Sequence, residues 1–414
     1  MEENKRKIIN DPVFGFINIP NNFVLNIIEH PYFQRLGRIS QLGLSSFVYP
    51  GARHTRLLHS LGAMHLMGEA VHQLRSQAVE ILDAEADAVR AAILLHDIGH
   101  GPFSHVLEES LIPGVRHEML SLALMRRMNS ELGGELETAM QIFTGVYPKH
   151  FLHQLVSGQL DMDRLDYLSR DSFFCGVSEG MVGSARIIKM LDVCLDDLVV
   201  EAKGIYSIEK FLVARRLMYW QVYLHKTSVG AEKLLLNILN RAKELVRGGH
   251  TLFASPALQY FLRREVDAVE LERSDDALDH FVRLDDADIL AAVKIWENDT
   301  DRVLSTLCRA FVGRRLFKLD GRSGISAEEK RAEYTRSYVR DFAFSEHEAA
   351  YFMGEKTVST DTYNAEDDRI NILYKDGRVL DVSEASDMLN IEVLTKKVEK
   401  HFFYYLRTDE IRRC

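Results

Sequence analysis

The feature that most constrains the fold is an apolar segment that ends in a histidine and an aspartate. Residues 91–95 read AAILL, His96 and Asp97 follow directly, and Gly99 comes two residues later. Adjacent side chains on a continuing helix point in different directions, but at a helix end the backbone can turn both toward one point. Because a buried carboxylate needs a partner, the segment predicts a buried helix whose end forms a polar site.

Two other segments carry groups that could share this site. His59 stands within a helical pattern, RLLHSLG, and Asp163 stands in DMDRLDYLSRD. With His96 and Asp97 they make a mixed nitrogen and oxygen set that suits one Mn, Fe, Ni or Zn ion, or less well Mg. Spacing alone leaves a second interpretation open, in which each group is a core residue with its own hydrogen-bond partner.

The loop after the His-Asp pair predicts a second layer of chemistry. GHGPFSH contains two glycines and a proline, which indicates a tight loop rather than a continuing helix. An imidazole on such a loop can donate a proton to a leaving oxygen or stabilise its charge. For His117, a histidine at the start of a surface helix is the open alternative. The candidate catalytic residues are His100, His105, Glu108 and His117.

A third group of side chains is basic or aromatic and suits a nucleotide. Arginine forks match phosphate geometry, and tyrosines can stack on a sugar or a base. Taken singly, each is more often a solvated cation or an aromatic at the edge of the core. The group comprises Arg56, Arg164, Tyr167, Arg170, Arg215, Tyr219, Tyr223 and Lys226.

Most of the chain has the apolar spacing of α-helices. Helices are predicted over 21–43 with a break at Pro31, over 55–74 with Thr55 placed to cap it, over 83–100, and over 208–246 as one helix or two in series.

Two hairpins and a polar connection complete the predicted elements. Residues 198–208, LVVEAKGIYSI, have short apolar arms around a Lys-Gly turn, and residues 369–382, RINILYKDGRVLDV, alternate around an Asp-Gly turn. The polar residues 321–337 predict a linker or an exposed loop.

The predicted fold class is mostly α, with a soft boundary near residue 250. Residues 1–250 are expected to form a helical catalytic core. Residues 251–414 are expected to form a smaller helical or α+β region with one or two short hairpins, which would serve oligomerisation or cap the core.

Composition narrows the class of protein. The chain has 414 residues and a net charge of −10, which disfavours a general nucleic-acid-binding role. No run of about 18 apolar residues predicts a membrane span, and MEENKRKIINDP lacks the apolar segment of a signal peptide. The cysteines show no metal-ligand spacing and indicate free thiols in a reducing cytoplasm. They are Cys175, Cys194, Cys308 and Cys414.

Seven motifs, taken in order, carry a family resemblance. They are NDPVFGFI, PYFQRLGRISQLG, YPGARHTRLLHSLG, LLHDIGHGPFSH, RHE, LDMDRLDYLSRD and RRLMYWQVYLHK. One His-Asp dipeptide is weak evidence, but the ordered set, over about residues 8–245, is specific. The chain resembles the HD-domain phosphohydrolases and, more narrowly, the deoxynucleoside triphosphate triphosphohydrolases.

The resemblance implies a role for each matching position. It implies that the metal is bound by His59, His96, Asp97 and Asp163. Phosphate oxygens would be bound by Arg56 and by Arg164, which stands at a family lysine position, and the phosphate region and leaving group would be contacted by His100, His105, Glu108 and His117. The deoxyribose would contact Gln41, Leu42, Tyr167 and Asp171, while Arg215 and Tyr223 would contact phosphate and base.

The implied reaction converts a dNTP and water into a deoxynucleoside and triphosphate. Water attacks the α-phosphorus, the 5′-oxygen leaves, and one divalent transition metal lowers the pKa of the water and neutralises charge. Magnesium is expected on the substrate phosphates. The expected partners are copies of the same chain, as a dimer or tetramer, and a nucleotide activator. No SAM domain is expected before the core.

Four positions depart from the pattern of the animal enzymes. Tyr219 and Leu224 replace a histidine and a glutamine near the sugar and base, which leaves base preference open. Gly37 replaces an arginine that recognises guanine in a regulatory site of those enzymes, and Glu29 replaces an aspartate. Nucleotide regulation is therefore expected to be altered or absent. Retained regulatory positions are Lys7, Asn10, Gln34 and Arg35.

Two other functions remain open. The first is a different HD phosphohydrolase, either a nucleoside monophosphatase or a phosphodiesterase, but no GYP element is present. The set of Tyr167, Asp171 and Arg215 favours a deoxynucleoside triphosphate over those substrates. The second is a non-catalytic nucleotide-binding regulator, which has no need of a paired histidine and aspartate.

Overall fold

The protein is mostly helical, as its apolar spacing predicts. The structure is a computed structural model that describes residues 7–321, 326–360, 363–364, 369–387 and 396–414. Within these ranges, no helix is both long and apolar enough to cross a membrane, and the four cysteines are free thiols.

The helices dominate the chain from residue 22 onward. In chain order they are α1 (Asn22–Glu29), α2 (Pro31–Gln34), α3 (Arg56–Ser76), α4 (Asp83–Leu95), α5 (Ser104–Ser110), α6 (His117–Glu131), α7 (Glu137–Phe143), α8 (His150–Ser157), α9 (Met162–Cys175), α10 (Ser184–Lys189), α11 (Ile205–Met218), α12 (Lys226–Arg247), α13 (Pro256–Arg263), α14 (Ala268–Arg273), α15 (Asp275–Phe281), α16 (Asp286–Trp296), α17 (Arg302–Val312), α18 (Ala327–Phe342), α19 (Glu346–Ala349), α20 (Val382–Ala385) and α21 (Thr408–Arg412).

The strands form three small sheets. Strands β1 and β2 pair with each other, β3, β4, β7 and β8 form a four-stranded sheet in that order, and β5, β9 and β6 form a three-stranded sheet. The strands are β1 (Ile8–Asp11), β2 (Gly15–Asn18), β3 (Leu191–Cys194), β4 (Asp197–Glu201), β5 (Lys318–Asp320), β6 (Met353–Thr360), β7 (Asn371–Leu373), β8 (Val379–Asp381) and β9 (Val398–Tyr405).

Three packed helices position the site. α3 packs against both α4 and α9, and buried side chains lie on all of its faces, which makes it a central helix rather than a surface one. α4 carries Asp83 and Glu85 in its first turn, where the helix dipole favours acids. It ends at Leu95 with His96 as its C-cap, a few residues before the end predicted near residue 99.

The predicted helix breaks lie where the sequence indicates. Pro31 begins α2 directly after the end of α1. α11 and α12 are two helices in series, separated by a π-helical turn over Tyr219–Tyr223. Thr55 precedes α3 at the N-cap position, but its side chain makes no capping hydrogen bond.

The hairpin predicted over 198–208 is wrong. β4 pairs with β3, the segment before it, and α11 begins at Ile205. The turn between β3 and β4 is formed by Leu195 and Asp196, with φ of 51° and 68°. This left-handed geometry suits a two-residue hairpin turn, but neither residue is a glycine or asparagine, the residue types by which such a turn is usually predicted.

The hairpin predicted over 369–382 is confirmed, and it adds to the same sheet. β7 and β8 pair antiparallel with Ile372 opposite Leu380, and Gly377 in the turn has φ of +83°. β7 also pairs with β4 in parallel, Val200 opposite Ile372. Strands from both sides of residue 250 therefore share one sheet, while the domain boundary itself stays a prediction.

The loop predicted over 321–337 is wrong from residue 327 onward. Residues 322–325 lie outside the described residues, and α18 begins at Ala327 with a capping box between Ser326 and Glu329. Tyr338 in this helix is fully buried and donates a hydrogen bond to Leu406 O. Two aromatic residues four apart, Tyr334 and Tyr338, supply the buried stripe within an otherwise polar helix.

Candidate metal centre and active site

Three of the four predicted metal ligands converge in the interior. One ligand atom from each of His59, His96 and Asp163 lies within 4.8 Å of the others. The Asp163 Oδ1 atom is 3.0 Å from His59 Nε2 and 3.5 Å from His96 Nε2. α3, the end of α4 and α9 each contribute one of these groups, so the packing of the three helices builds the site.

Asp97, the fourth predicted ligand, lies between this group and a second one. Its Oδ1 atom is 3.3 Å from His96 Nε2 and 3.3 Å from His100 Nε2. Its Oδ2 atom is 3.8 Å from His59 Nε2 and 2.5 Å from the Arg56 guanidinium. Asp97, His100 and His117 form a second group with ligand atoms in the same mutual range.

Hydrogen bonds on the far side of each imidazole fix its orientation. His59 Nδ1 is 2.7 Å from Asp166 Oδ2, and Arg170 holds that carboxylate from two nitrogens and also donates to Asp11. His96 Nδ1 is 2.6 Å from Ile93 O. These contacts place the proton on Nδ1 and leave Nε2 of both rings free to bind a metal.

The donor set fits a cation. Nε2 of His59 and Nε2 of His96 are buried and make no hydrogen bond of good geometry, although Asp163 Oδ1 lies close to both, and such buried polar atoms are commonly served by an ion or water. Burial opposes a charged imidazole at His59, but the carboxylates of Asp163 and Asp166 outweigh it and raise the pKa of His59 to about 10. The two carboxylates therefore favour positive charge at this point, which a bound metal ion would supply.

The sharp turn after α4 is possible because residue 99 is glycine. A Cβ at Gly99 would lie 2.1 Å from His117 O and 2.3 Å from Ser121 N. Ser121 accepts a hydrogen bond from Gly99 N and donates one to His96 O. The close approach of α6 to this turn therefore brings His117 to His100, whose ring it stacks on at 3.8 Å.

The predicted catalytic residues surround the same turn. Burial and the nearby Arg56 lower the pKa values of His100 and His105, which favours neutral imidazoles. Burial and Glu118 raise the pKa of Glu108 to about 7, and its Oε1 atom is 3.9 Å from His117 Nδ1. A carboxyl group with a pKa near neutrality is suited to proton transfer.

A cavity of about 270 Å³ is lined by most of the residues predicted to bind the substrate. It adjoins the ligand group through Arg56, which contacts Asp97, and through His105. The predicted substrate residues that line it are Gln41, Leu42, Arg56, Tyr167, Asp171 and Tyr223.

Two predicted phosphate ligands, Arg164 and Arg215, are not among the residues that line this cavity. Arg164 donates to Asp161 Oδ2 at 2.5 Å, and Arg215 donates to Gln159 Oε1 at 2.9 Å. Lys226 lies over the Phe402 ring and lines a separate, larger cleft.

Asp171 is held in place by a residue that the sequence did not single out. His54 Nε2 is 2.7 Å from Asp171 Oδ1, and Tyr223 donates to Asp171 Oδ2 at 2.8 Å. The His54 ring is buried and stacks on Phe174 with 4.4 Å between centroids. In the sequence, His54 stands two residues before Arg56, which was the only indication of its role. A single histidine has no spacing to a second group from which a function could be predicted.

Asp166 and Glu232 were also missed. Asp166 belongs to a helical charge pattern with Arg170, which is typical of a surface ion pair, yet both side chains are fully buried. Glu232 lies on α12, shortly after Lys226, the last residue of the RRLMYWQVYLHK motif, and lines the cavity.

This fold and site define a phosphohydrolase of the HD type: a helical bundle in which a His-Asp pair at a helix end lies beside a histidine and an aspartate from two other helices, a group that could hold a metal ion. Family models match accordingly. Residues 56–171 match the HD domain, and residues 182–249 match the HD associated region.

Known proteins agree with this class. The solved structure of a phosphohydrolase from Bacteroides thetaiotaomicron superposes with a TM-score of 0.94 at 57% sequence identity, covering 97% of this chain and 100% of that one. The uncharacterized protein YwfO of Bacillus subtilis is 33% identical over 321 residues, covering 76% of this chain and 72% of its own. The chain belongs to the HD-domain phosphohydrolase family.

A third relative bears a more specific name. The deoxynucleoside triphosphate triphosphohydrolase SAMHD1 homolog of Dictyostelium discoideum is 30% identical over 260 residues, which cover 58% of this chain and 50% of the relative. The chain therefore spans about half the length of that protein.

Proposed function

We propose that this enzyme hydrolyses deoxynucleoside triphosphates to a deoxynucleoside and triphosphate. The observation that carries the proposal is the adjacency of the ligand group to a cavity lined by Arg56, Tyr167, Asp171 and Tyr223. An arginine suits phosphate, and a carboxylate held by Tyr223 and His54 suits a sugar hydroxyl. The relative from Dictyostelium, named for this activity, supports the same substrate class.

The reaction transfers the α-phosphorus from the 5′-oxygen to water. An oxygen–phosphorus bond forms from water, the bond to the 5′-oxygen breaks, and that oxygen takes up a proton. A divalent transition metal held by His59, His96, Asp97 and Asp163 would supply Lewis-acid stabilisation and lower the pKa of water. Mn, Fe, Ni or Zn suits this donor set, with Mg on the substrate phosphates.

The chain's own residues position the phosphates and move the proton. Arg56 is fixed by Asp97, so it can stabilise negative charge at the α-phosphate with little reorganisation. His105 or His117 donates the proton to the 5′-oxygen once the negative charge of the bound triphosphate offsets the burial that lowers the pKa of both imidazoles in the free enzyme. Glu108, whose pKa of about 7 leaves it partly protonated at neutral pH, is within reach of His117 and can resupply it.

The sugar end of the cavity selects a deoxyribose. Asp171 keeps acceptor capacity on both oxygens after bonding His54 and Tyr223, so it can accept a hydrogen bond from the 3′-hydroxyl. Tyr167 packs against Tyr223 at a 78° angle, and its ring would exclude a 2′-hydroxyl. Gln41 and Leu42 also line the cavity.

The remaining expectations belong to the same proposal. We expect a cytoplasmic enzyme that assembles as a dimer or tetramer. Gly37 and Glu29 differ from the animal pattern, so activation by a bound nucleotide is expected to be altered or absent.

Turnover of the four dNTPs with Mn²⁺, with products separated by ion exchange, tests the proposal. Equimolar deoxynucleoside and triphosphate support it, and Asp97→Asn should abolish turnover and lower bound metal, while the exposed Glu135→Gln should change neither. Release of orthophosphate alone would indicate a phosphatase. The absence of nucleoside from every dNTP, with or without GTP or a second dNTP as activator, would overturn it.

A further inference from the structure

The segment before α3 contacts two other segments that line the substrate cavity. Tyr49 donates a hydrogen bond to Gln221 O, at 2.7 Å, in the π-helical turn between α11 and α12. The carbonyl oxygen of His54 accepts a hydrogen bond from Gln41 N at 3.0 Å. Gln41 and two tyrosines of the π-helical turn line the cavity. Residues 49–56 therefore support the cavity from behind.

The ring of His54 connects the same segment to α9. Its Nε2 atom is 2.7 Å from Asp171 Oδ1, and both side chains are buried. The ring also stacks on Phe174, with 4.4 Å between centroids and an interplanar angle of 15°. This close approach to α9 requires a glycine at position 51, because a Cβ at Gly51 would lie 2.5 Å from Phe174 O. The stacked ring therefore has little freedom to turn away from Asp171.

The hydrogen bond between these two side chains has one direction. An ionised carboxylate only accepts hydrogen bonds, so the Nε2 atom of His54 carries the proton and donates to Asp171. Nδ1 of the same ring is buried and has no hydrogen-bond partner among the described residues, which costs stability. A phenylalanine would stack on Phe174 without this cost. The polar contribution of His54 therefore lies in its bond to Asp171.

Two donors hold the Asp171 carboxylate, one at each oxygen. His54 donates to Oδ1, and Tyr223 donates to Oδ2 at 2.8 Å. Each oxygen keeps a free lone pair, whose direction is set by the plane in which the carboxylate is held. An acceptor that is already oriented binds a ligand hydroxyl more tightly than a rotating one, because less ordering is needed on binding.

We propose that His54 is a positioning residue that gives the enzyme its preference for a substrate with a 3′-hydroxyl group. This inference rests on the proposed function, in which Asp171 accepts the hydrogen bond of that hydroxyl. Without the Nε2–H donor, the carboxylate can rotate about its Cβ–Cγ bond, and its free lone pair is no longer directed at the hydroxyl. A hydrogen bond to a charged group corresponds to about tenfold or more in affinity. We therefore expect kcat/KM for a dNTP to exceed that for the matching 2′,3′-dideoxynucleotide by at least about tenfold.

The test is the ratio of kcat/KM for a dNTP to that for the dideoxynucleoside triphosphate of the same base, on the full chain loaded with Mn²⁺. His54→Phe keeps the stacking on Phe174 but removes the donor, so the ratio should fall by at least about tenfold. His54→Gln places an amide N–H near the position of Nε2 and should keep most of the native ratio.

The matched control is His250→Phe. It removes another histidine–aspartate hydrogen bond, from His250 to Asp299 at 3.0 Å, and neither of these residues lines the cavity. This variant should leave the ratio unchanged. A general loss of stability lowers the turnover of both substrates in proportion, so the ratio separates positioning from a merely structural role.

Two results would overturn the inference. One is a native ratio near one, and the other is a ratio in His54→Phe equal to that of the native chain. If His54→Phe does not fold, His54→Asn takes its place, because its amide is one bond shorter than that of glutamine and does not reach Asp171.

Binding measurements separate this inference from the proposed function. Calorimetry with α,β-imido analogues that carry or lack the 3′-hydroxyl gives the same ratio without hydrolysis. If no dNTP is hydrolysed, but the native chain prefers the analogue with the hydroxyl and His54→Phe loses that preference, the proposed reaction fails and the role of His54 stands. If dNTPs are hydrolysed with the same ratio by both proteins, the proposed function stands and the role of His54 fails.

Discussion

The His59 imidazole owes its orientation to Asp166, a residue that touches no substrate. Asp166 is fully buried and is held by Arg170, which is held in turn by Asp11. This series of ion pairs and hydrogen bonds links β1, α9 and α3. In metalloproteins, removing a carboxylate that holds a metal-binding histidine typically weakens metal binding.

Asp166→Asn should weaken metal binding by about 10- to 100-fold, because the amide no longer fixes the His59 proton on Nδ1. Competition with a chelator, followed by elemental analysis of the dialysed protein, measures the affinity. Glu135→Gln provides an exposed control. Metal affinity equal to that of the native chain would show that Asp166 does not orient the ligand.

Gly99→Ala tests the turn that carries the His-Asp pair. The new Cβ would meet His117 O at 2.1 Å, so we expect a loss of stability of about 1–3 kcal/mol. Gly68→Ala in α3 is the matched control. Its new Cβ would lie an ordinary 3.7 Å from the nearest atom, Arg90 Nε, and alanine stabilises a helix over glycine by about 0.5–1 kcal/mol. Urea unfolding of both variants gives the comparison, and equal stability of the two would contradict this account of Gly99.

At the residue scale, the sequence pointed to the candidate ligands that the fold brings together, but not to the residues that orient them. His96 and Asp97 could be read from one local feature, an apolar helix end followed by a glycine. His54, Asp166 and Glu232 act through contacts more than 100 residues away in sequence or through a cavity wall, and no local spacing records such contacts.

At the scale of elements, one side chain both caps a helix and joins it to another. Asp301 accepts a hydrogen bond from Leu304 N at the start of α17 and pairs with Arg241 of α12 at 2.6 Å. Burial opposes the charge on Asp301, but Arg241 and the Leu304 N–H outweigh it and lower its pKa. The stabilisation is therefore present above pH 4 and is lost as the pH falls below that range.

Two variants separate the charge from the cap. Asp301→Asn keeps an N-cap acceptor but removes the charge, and should cost about 1–2 kcal/mol at pH 7. Asp301→Ala removes both and should cost about 1 kcal/mol more. Denaturant unfolding at pH 7 and pH 3 measures the difference from the native chain. If Asp301→Asn were equally destabilised at both pH values, the pairing with Arg241 would not be its cause.

Elements were predictable where a local rule sets their ends. Pro31 separates α1 from α2, and Gly377 marks the β7–β8 turn. The hairpin at β3 and β4 escaped prediction because Leu195 and Asp196 adopt left-handed geometry without the usual residues. α18 was not predicted because its burial depends on contacts distant in sequence, such as that of Tyr338 with Leu406, 68 residues later.

At the scale of the whole molecule, contacts cross the proposed boundary near residue 250 at several places. β4 pairs with β7, α12 packs against α17, and the buried Arg35 donates to Leu284 O and to Ile98 O. Arg35 was predicted from the resemblance to keep a regulatory position; its hydrogen bonds join the segment between α15 and α16 to the turn after α4.

These contacts predict that the two regions depend on each other. A fragment of residues 1–250 should expose the apolar face of α12 and an unpaired edge of β4, bind a hydrophobic dye and melt below the intact chain, which should unfold in one transition. Near-ultraviolet circular dichroism on both proteins measures this. An isolated fragment that melts at the temperature of the intact chain would establish residues 1–250 as an autonomous domain.

The central claim is that this site transfers the α-phosphorus of a dNTP to water. Turnover in H₂¹⁸O, with the products analysed by mass spectrometry, tests it most directly. We predict one ¹⁸O atom in each released triphosphate and none in the deoxynucleoside. Label in the deoxynucleoside, or label released as orthophosphate without triphosphate, would contradict the claim.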